Sequence, residues 1–493
     1  MKIVGDVIRL DRFQYVGSGK SYPILRPRRG KVPHLSSYRL RYILEKNSID
    51  YDFMDLEEIW SEMKVGGNQT YDIVALSTTF ICHLPTLKKV VNLILEKFPS
   101  SVIILGGQYS NLKYKKIMDE IPKIEFIIRG DGEESFPQLL SAIEEKTDFK
   151  IIPNLVFRDT KMGNVVETEI KYIDFNDYPS PTFVGNQESI PYESMRGCPY
   201  DCKFCSYPSA SPKWRYKTAA KVCEEWKKYA KENNVKLIKA MDSTFTIPKD
   251  RFRKLLDDLP QVGVEWESYA RADAIDTPHI IEQLESSHCK SLSIGFESMS
   301  DTTLQKMSKN VSAKQNLKAF ELLNNSNIDF RVSFIIGYPG ETPHDYEQTH
   351  KFIVEKFTGR FLLSVFSLLD ETMPVWDDAV LYGIEITNSD DPEYSWRHKG
   401  MSSQTAFELW RKTVEEARWK NEDGVMSLWQ TKYENPLVPE LDVRKNRRIE
   451  KLVERLSFLK HDFKDERVAR EHYDSIIKEL NSYNIVFSPS SLT

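Results

Sequence analysis

Short apolar runs alternate with amphipathic stretches through the middle of the chain, and this alternation limits the possible folds more than any other feature. Runs with the composition of buried strands lie at 190–195, 235–241, 264–270, 291–296, 330–336 and 361–369. Amphipathic stretches typical of helices lie at 219–233, 248–259, 278–286, 313–324 and 344–357. Serial strand–helix units predict an α/β fold whose parallel sheet curls into a partial barrel of six units. Functional residues of such a barrel lie at the carboxyl ends of its strands.

Three cysteines, Cys198, Cys202 and Cys205, directly follow the first of these strands. Thiolates this close in sequence suit a metal or an iron–sulfur cluster better than disulfides. A four-iron cluster held by three thiolates leaves one iron open for a non-protein ligand. Structural zinc is the alternative, although zinc loops usually bring paired Cys-x-x-Cys arms or a nearby histidine. The nearest histidines, His83 and His279, are far away in sequence.

The Cys-x3-Cys-x2-Cys spacing, with Phe204 directly before the last cysteine, resembles the cluster loop of the radical S-adenosylmethionine (SAM) superfamily. The resemblance implies a 4Fe-4S cluster on the three cysteines, with the amino and carboxylate groups of SAM on the open iron. It also implies SAM contacts at Phe204 and at the other strand ends. Asp242 and Ser243 replace the glycine-rich turn that many members carry beside the SAM amino group.

Three further strand ends resemble SAM-binding positions of the superfamily. Arg271 would offer its planar donors to the SAM carboxylate or ribose, with a salt bridge to Asp273 or Asp276 as the alternative. Glu297 is expected against the ribose or methionine, with a structural ion pair as the alternative. The candidates on the adenine side are Gly337 and Gly340, where the backbone can approach a flat ring closely.

The first 150 residues predict a separate α/β domain. Apolar strand patterns at 73–79, 102–107 and 126–132 end in small or polar residues, and helical patterns lie at 84–97 and 112–120. This order predicts an open, doubly wound sheet, which binds ligands at the carboxyl ends of its strands. Gly106 and Gly107 at one such end indicate close approach of another group to the backbone.

This domain resembles the cobalamin-binding domain of cobalamin-dependent radical SAM enzymes. The resemblance rests on Ser-Thr-Thr at 77–79, Gly-Gly at 106–107 and Arg-Gly-Asp-Gly-Glu-Glu at 129–134. It implies bound cobalamin, and the expected contacts to its nucleotide tail are Ser77, Thr79, Gly106 and Gly107. The alternative is a domain that holds no cobalamin.

Several residues depart from the cobalamin-binding pattern. Glu57 and Trp60 stand where the broader cobalamin fold has a cobalt-ligating histidine and a glycine, which rules out histidine ligation at that position. Tyr109 stands where relatives often carry histidine. Cys82 and His83 are interpreted as packing and capping residues, because a lone cysteine and a lone histidine seldom form a metal site.

The expected organisation is a cobalamin-binding-like domain over 1–150, a linker over 151–189, the radical SAM partial barrel over 190–375 and a mostly helical extension over 376–493. The linker carries a hairpin-like pattern. The extension has helical patterns at 406–420, 447–459 and 467–480 and matches no motif. Its tryptophans, Trp396, Trp410, Trp419 and Trp429, are interpreted as core residues, as are Cys223 and Cys289.

Charge and composition exclude several partners. The formal net charge of −5, with charged residues interspersed, gives no basic surface for nucleic acid. No apolar run reaches the roughly 18 residues of a membrane span, and the N-terminus lacks the apolar core of a signal peptide. Because a thiolate cluster requires a reducing compartment, we expect a cytoplasmic protein. The expected partners are a small-molecule or peptide substrate and an electron donor such as flavodoxin or ferredoxin.

The two resemblances together imply reductive cleavage of SAM, hydrogen abstraction from a substrate and methyl transfer from cobalamin to carbon. Two alternatives stay open: a radical SAM oxidoreductase or cyclase without cobalamin, and a non-catalytic cobalamin- or metal-binding protein. A methylthiotransferase is disfavoured, because such enzymes carry a further cysteine trio where this chain has only Cys82. No catalytic residue and no particular substrate can be assigned from the sequence.

Overall fold

A computed structural model describes residues 3–7, 35–52, 70–79, 81, 83–159, 163–178, 180–368, 371–388, 393–426, 438 and 440–483. Within these residues the chain divides into two compact units. The first contains residues 3–7, 35–199 and 207–243, and the second contains 200–206 and the described residues from 244 onward. The expected domain bounds, with the barrel beginning at residue 190, stay a prediction.

The N-terminal part of the first unit is a doubly wound sheet. Its strands are β1 (Ile3–Val7), β2 (Tyr51–Asp52), β3 (Ile73–Ser77), β4 (Val102–Gly106), β5 (Phe126–Ile128), β6 (Leu155–Asp159) and β7 (Asn164–Glu167), in the order β2-β1-β3-β4-β5-β6-β7. Pairing is parallel from β2 to β5 and antiparallel for β6 and β7. The hairpin expected in the linker therefore belongs to this sheet.

Helices cover both faces of this sheet because successive strand residues point to opposite sides. The helices are α1 (Leu35–Lys46), α2 (Leu84–Lys97), α3 (Gln108–Glu120) and α4 (Ser135–Glu145). Val74 and Leu105 share one apolar core with α2 and α3, whereas Ile73 and Ile104 share another with α1 and α4. The predicted doubly wound sheet is confirmed.

The rest of the first unit leads into and out of the cysteine run. Its strands are β8 (Ser189–Tyr192), β9 (Met195–Arg196), β10 (Arg215–Tyr216) and β11 (Leu237–Ala240), and its helices are α5 (Tyr207–Ala210) and α6 (Ala219–Asn233). β8 and β11 pair in parallel, and β9 and β10 pair antiparallel.

The second unit is built on five parallel strands. They are β12 (Glu265–Arg271), β13 (Cys289–Glu297), β14 (Asp329–Ile336), β15 (Gly359–Val365) and β18 (Gly424–Met426), paired in that order. The helices between them are α7 (Lys249–Asp258), α8 (Pro278–Ser286), α9 (Asp301–Lys306), α10 (Ala313–Asn324) and α11 (Pro343–Lys351), which continues as a π-helix over Phe352–Lys356. Strand β18 was not predicted, since only three residues form it.

The C-terminal part of the second unit is largely helical, as predicted. It contains α12 (Ala379–Tyr382), the hairpin β16 (Glu385–Ile386) and β17 (Trp396–Arg397), then α13 (Ser403–Lys420), α14 (Val443–Asp462) and α15 (Glu466–Ser482). Trp396 is buried, and Trp410 Nε1 donates to the Leu363 carbonyl at 2.8 Å. Trp429 lies outside the described residues. No helix in the described part of the chain is long and apolar enough to cross a membrane.

Side chains cap the starts of three helices in the two units. Thr218, Thr277 and Ser312 accept hydrogen bonds from backbone N–H groups in the first turns of α6, α8 and α10. Such caps satisfy donors that a helix start otherwise leaves open. The predicted and observed bounds of these three helices coincide.

We expect Asn421→Leu to destabilise the second unit. The Asn421 amide donates to the Ile353 and Phe357 carbonyls, both at 2.7 Å, and accepts from the N–H groups of Asp423 at 2.9 Å and Gly424 at 2.7 Å. Leucine leaves these buried groups without partners, so the free energy of unfolding should fall by roughly 3 kcal/mol. Calorimetry should show the loss as a lower Tm. The exposed Asn325→Leu is the control, and equal Tm values for both variants would contradict the assignment.

Candidate functional site

The three cysteines are thiols with graded exposure. Cys202 is buried, and Cys198 and Cys205 are half-buried. The Cys205 N–H donates to the Cys202 carbonyl at 3.1 Å, which closes a tight turn between these two residues. We call residues 198–206 the cysteine loop. It presents three soft sulfur donors and no neighbouring histidine in sequence, a donor set that suits an iron–sulfur cluster.

In the first unit, Asp242 and Ser243 support the backbone that leads to Cys198. The buried Asp242 carboxylate accepts from the N–H groups of Ser194 at 2.7 Å and Met195 at 3.0 Å. Ser243 Oγ donates to the Gly197 carbonyl at 3.0 Å. Both residues were predicted to contact SAM. The structure gives them supporting contacts to the strand end, and the SAM contact stays a prediction.

Gly197 allows the chain to turn directly before Cys198. Its φ is +79°, and a Cβ there would lie 2.6 Å from the Lys213 carbonyl oxygen. The Gly197 N–H donates to the Tyr207 hydroxyl oxygen at 3.3 Å. Only glycine fits this position without displacing the neighbouring backbone.

A cluster of buried and half-buried ions surrounds Arg196, two residues before Cys198. Arg196 donates to Asp131 Oδ1 at 2.8 Å, Glu133 Oε1 at 2.5 Å and Glu193 Oε1 at 2.9 Å. Arg215 also donates to Asp131 Oδ1, at 3.1 Å. Asp131 and Glu133 come from the Arg-Gly-Asp-Gly-Glu-Glu stretch that follows β5. We call Asp131, Glu133, Glu193, Arg196 and Arg215 the Arg196 cluster.

The carboxylate of Glu133 stays ionised inside this cluster. Burial alone would raise its pKa, but the charge and hydrogen bond of Arg196, helped by Arg39, lower it to about 2. The stretch at 129–134, noted in the sequence for its likeness to cobalamin-binding domains, therefore holds the arginine beside the first cysteine.

In the second unit, backbone and charge contacts fix the segment from Tyr200 to Ser206. The Lys203 N–H donates to the Met307 carbonyl, and the Val375 N–H donates to the Lys203 carbonyl, both at 2.9 Å. The Lys203 ammonium pairs with Asp378, whose hydrogen bond raises the pKa of Lys203. The backbone between Cys202 and Cys205 is thus anchored from two sides.

Arg271 lies against this segment. Its guanidinium stacks on the Tyr200 ring at 3.7 Å, and it donates to Asp273 Oδ1 at 2.9 Å and to the Lys309 carbonyl at 3.0 Å. The alternative of a salt bridge with Asp273 is therefore realised, and Arg271 supports the loop that carries Cys202. Contact with SAM remains a prediction.

Glu297 is also paired. It accepts from Lys309 Nζ at 3.0 Å and from Ser333 Oγ at 3.2 Å. Its φ is +63°, and its side chain folds back so that a Cβ on Gly295 would lie 2.1 Å from Glu297 Oε1. Lys309 also lies 5.5 Å from the ring centroid of the half-buried Phe204. The alternative of an ion pair is therefore realised for Glu297.

Gly337 and Gly340 approach aromatic rings of the same unit. A Cβ on Gly337 (φ +85°) would lie 2.6 Å from Trp396, and one on Gly340 (φ +89°) would lie 2.7 Å from Tyr382. Both glycines thus approach flat rings closely, but these rings are the protein's own Trp396 and Tyr382. The expected contact with adenine is untested.

His398 and Glu341 hold the turn between these glycines. His398 Nδ1 accepts from the Gly340 N–H at 3.3 Å, and its Nε2 lies 3.2 Å from the Gly337 carbonyl, so Nε2 carries the proton. Burial lowers the pKa of His398 to about 4, and the ring is neutral at neutral pH. Glu341 accepts from the Gly337 N–H at 2.7 Å, and burial raises its pKa to about 8.

The predicted cobalamin contacts lie at the carboxyl ends of β3 and β4. Ser77 and Thr79 are half-buried, and their hydroxyl oxygens lie 3.3 Å apart. Space is open where a Cβ on Gly106 would lie. Gly107 has φ +99°, and a Cβ there would come within 2.8 Å of the Thr79 nitrogen. Glycine is therefore needed at this position to let the backbone of Thr79 pack closely.

The residues that depart from the cobalamin-binding pattern differ in where the structure places them. Glu57, Trp60 and Cys82 lie outside the described residues. His83 precedes α2 and is exposed, and its side chain does not cap the helix. Tyr109 packs against the apolar core between the sheet and α2 and α3.

Sequence reasoning missed the residues that fix the cysteine loop. Lys309, Lys203, Asp378 and Arg196 carry no motif, because their partners are distant in sequence. The one available signal was position: Arg196 and Lys203 flank cysteines, and charged residues beside a thiolate site seldom lack a partner.

Comparison with known proteins gives three results. The model of the Radical SAM superfamily matches residues 192–353. An uncharacterized methyltransferase of Pyrococcus horikoshii is 27% identical over 262 residues, which cover 51% of this chain and 57% of that protein. The anaerobic magnesium-protoporphyrin IX monomethyl ester cyclase of Rubrivivax gelatinosus is 26% identical over 275 residues, covering 52% and 49%. The chain spans about half the length of these curated relatives.

A solved structure matches nearly the whole chain. The radical S-adenosylmethionine methyltransferase TsrM from Kitasatospora setae, with cobalamin and a 4Fe-4S cluster bound, superimposes with a TM-score of 0.63 at 14% identity. The match covers 98% of this chain and 99% of that one, and at this identity it shows a shared fold.

Fold and site together define an α/β protein with a doubly wound domain followed by a parallel-stranded domain that begins with a cysteine loop. Residues 192–353 of the second form a radical SAM domain. Both the predicted family and the predicted fold class are confirmed.

We expect Glu133→Gln to loosen the Arg196 cluster. The neutral amide removes one of the charges that offset Arg196, so the free energy of unfolding should fall by roughly 1–3 kcal/mol near pH 7. Because the folded-state pKa of about 2 lies below the ordinary 4.5, the stabilisation is present above pH 4.5 and is lost as the pH falls toward 2. The Tm difference from wild type should therefore shrink over this range. The exposed neighbour Glu134→Gln is the control, and a pH-independent difference would contradict the prediction.

Glu341→Gln should change stability in the opposite pH range. The folded-state pKa of about 8 lies above the ordinary 4.5, so the wild type loses stability as the pH rises from 4.5 to 8. Glutamine has no such loss. Melting curves from pH 5 to 9 should show the variant becoming more stable relative to wild type as the pH rises. The exposed Glu355→Gln should follow the wild-type curve, and parallel curves for Glu341→Gln would show that this carboxyl is not buried as described.

Proposed function

We propose that this chain is a radical SAM enzyme that cleaves SAM reductively at a 4Fe-4S cluster and uses cobalamin for methyl transfer to carbon. The observation that carries the proposal is the cysteine loop: three thiols within a radical SAM domain, on a backbone fixed by buried contacts.

Cys198, Cys202 and Cys205 would hold the cluster. When bound, such a cluster supplies the electron for SAM cleavage, and the product radical takes hydrogen from substrate. The chain's own part is to fix the thiols: the Arg196 cluster and Asp242 hold the backbone before Cys198, while Lys203, Arg271 and their partners hold the segment with Cys202 and Cys205. Partial burial of these cysteines limits the access of water.

SAM would lie at the strand ends that follow the cysteine loop. Phe204 is half-buried and Ser243 is exposed, so each has surface left for a ligand. Arg271, Glu297 and Asp242 would act as positioning residues, because protein groups already fill most of their hydrogen-bonding capacity. Gly337 and Gly340 would present backbone to the adenine on the side away from Trp396 and Tyr382.

Cobalamin would bind at the carboxyl ends of β3 and β4. The half-buried hydroxyls of Ser77 and Thr79 and the open space at Gly106 fit a polar nucleotide tail lying along this edge. TsrM, which shares the fold, was solved with cobalamin bound. Cobalamin would supply the methyl group when bound.

The second candidate is radical chemistry without methyl transfer. It is favoured by the cyclase among the relatives, whose similarity is close to that of the methyltransferase. For both candidates we propose a small-molecule or peptide substrate, and flavodoxin or ferredoxin as the electron donor. A cytoplasmic location follows from the need for reduced thiols.

Metal content and SAM cleavage test the proposal. We expect anaerobically purified protein to contain iron, sulfide and cobalt, and to form 5'-deoxyadenosine from SAM with dithionite. Cys198→Ala, Cys202→Ala and Cys205→Ala should each lose the cluster absorbance and the cleavage. Cys223→Ala is the matched control, since Cys223 is a buried thiol in α6 outside the loop.

The outcomes separate the candidates. Cobalt near one per chain supports the cobalamin-dependent enzyme. Iron and sulfide without cobalt support the second candidate. Zinc with no iron after anaerobic reconstitution would contradict both.

A further inference from the structure

Tyr338 has a buried hydroxyl that makes no hydrogen bond with the described residues. It lies in the turn after β14, its side chain is fully buried, and its ring packs edge-on against Phe366 at 5.2 Å. Among the described residues its Oη has no hydrogen-bond partner. Buried hydroxyls are almost always paired, so an open one at this depth indicates a partner that is not part of the chain itself.

Cys202 and Asp378 lie close enough to the phenol to influence its charge. After burial, the groups that raise the pKa of Tyr338 are Tyr382, Asp378 and Cys202. Asp378 is the partner of Lys203 in the cysteine loop. A phenol carries one O–H donor, so the open Tyr338 hydroxyl can donate to a bound group.

We infer that the Tyr338 hydroxyl donates a hydrogen bond to a sulfide of the cluster that Cys202 holds. This inference rests on the proposed function, since it requires a cluster on the cysteine loop. Phenylalanine would fill the same apolar space beside Phe366, so the hydroxyl is the part of Tyr338 that packing alone does not explain.

Such a bond would tune the cluster without ligating it. A donor to a cluster sulfur stabilises the reduced, more negatively charged form and so raises the reduction potential. Tyr338 is then a positioning and tuning residue, and its effect should appear in the potential of the cluster itself.

Tyr338→Phe tests the inference. We expect the reconstituted variant to keep wild-type iron and sulfide content, while its cluster potential, measured by redox titration with electron paramagnetic resonance, shifts to a more negative value. 3-Fluorotyrosine at position 338 is the second variant. Its more acidic phenol is a stronger donor, so the potential should shift in the opposite direction. This variant decides the question if the phenylalanine protein fails to load iron.

Tyr346→Phe is the matched control. Tyr346 is equally buried in the same unit, but its hydroxyl lies 2.8 Å from Thr413 Oγ1. Its loss should leave the potential unchanged. Unchanged potentials in both position-338 proteins, or equal shifts in Tyr338→Phe and Tyr346→Phe, would overturn the inference while leaving the proposed function intact. Wild-type protein without a cluster would overturn both.

Discussion

Three thiols can hold one cluster only if the backbone keeps them at fixed positions. Loop residues make few hydrogen bonds with one another, so the contacts that fix this backbone must come from the surrounding protein. In this chain the fixing contacts come from buried polar groups. Before Cys198, Asp242 binds the backbone of Ser194 and Met195, and Arg196 is surrounded by carboxylates. After it, the backbone of Lys203 is bonded on both its N–H and its carbonyl. The charges are expensive to bury singly and are therefore paired.

The paired charges also change the roles of residues at the strand ends. Arg271 and Glu297 have the residue types expected of groups that bind SAM, yet each already has protein partners. Lys309 joins the two sites, since its ammonium binds Glu297 and its carbonyl accepts from Arg271. A charge change at Arg271, Glu297 or Lys309 would therefore alter the contacts made with Tyr200 and Phe204 in the cysteine loop. Position at a strand end makes these residues candidates for SAM contact, which stays a prediction, while their protein partners give them a supporting role.

The sequence predicted what depends on local pattern. Strand and helix periodicity placed the two sheets and the helices over 219–233, 278–286 and 313–324. Contacts between distant residues were not predictable. Asp242 and Ser194 are 48 positions apart, and Arg196 and Asp131 are 65 apart. The hairpin of β6 and β7 was assigned to a linker because its sequence pattern fits both a free-standing hairpin and the edge of a sheet. Its antiparallel pairing with β5, which the sequence does not reveal, makes it part of the N-terminal sheet.

The C-terminal extension packs against the turn that follows β14. Trp396 fills the space beside Gly337, and Tyr382 fills that beside Gly340. His398 bonds both ends of the same turn and is kept neutral by burial, so its bonding pattern persists across physiological pH. Without these three side chains the turn after β14 would lose its outer wall and two of its hydrogen bonds. The same turn carries Tyr338 and Glu341, so the extension determines where the phenol and the buried carboxyl lie.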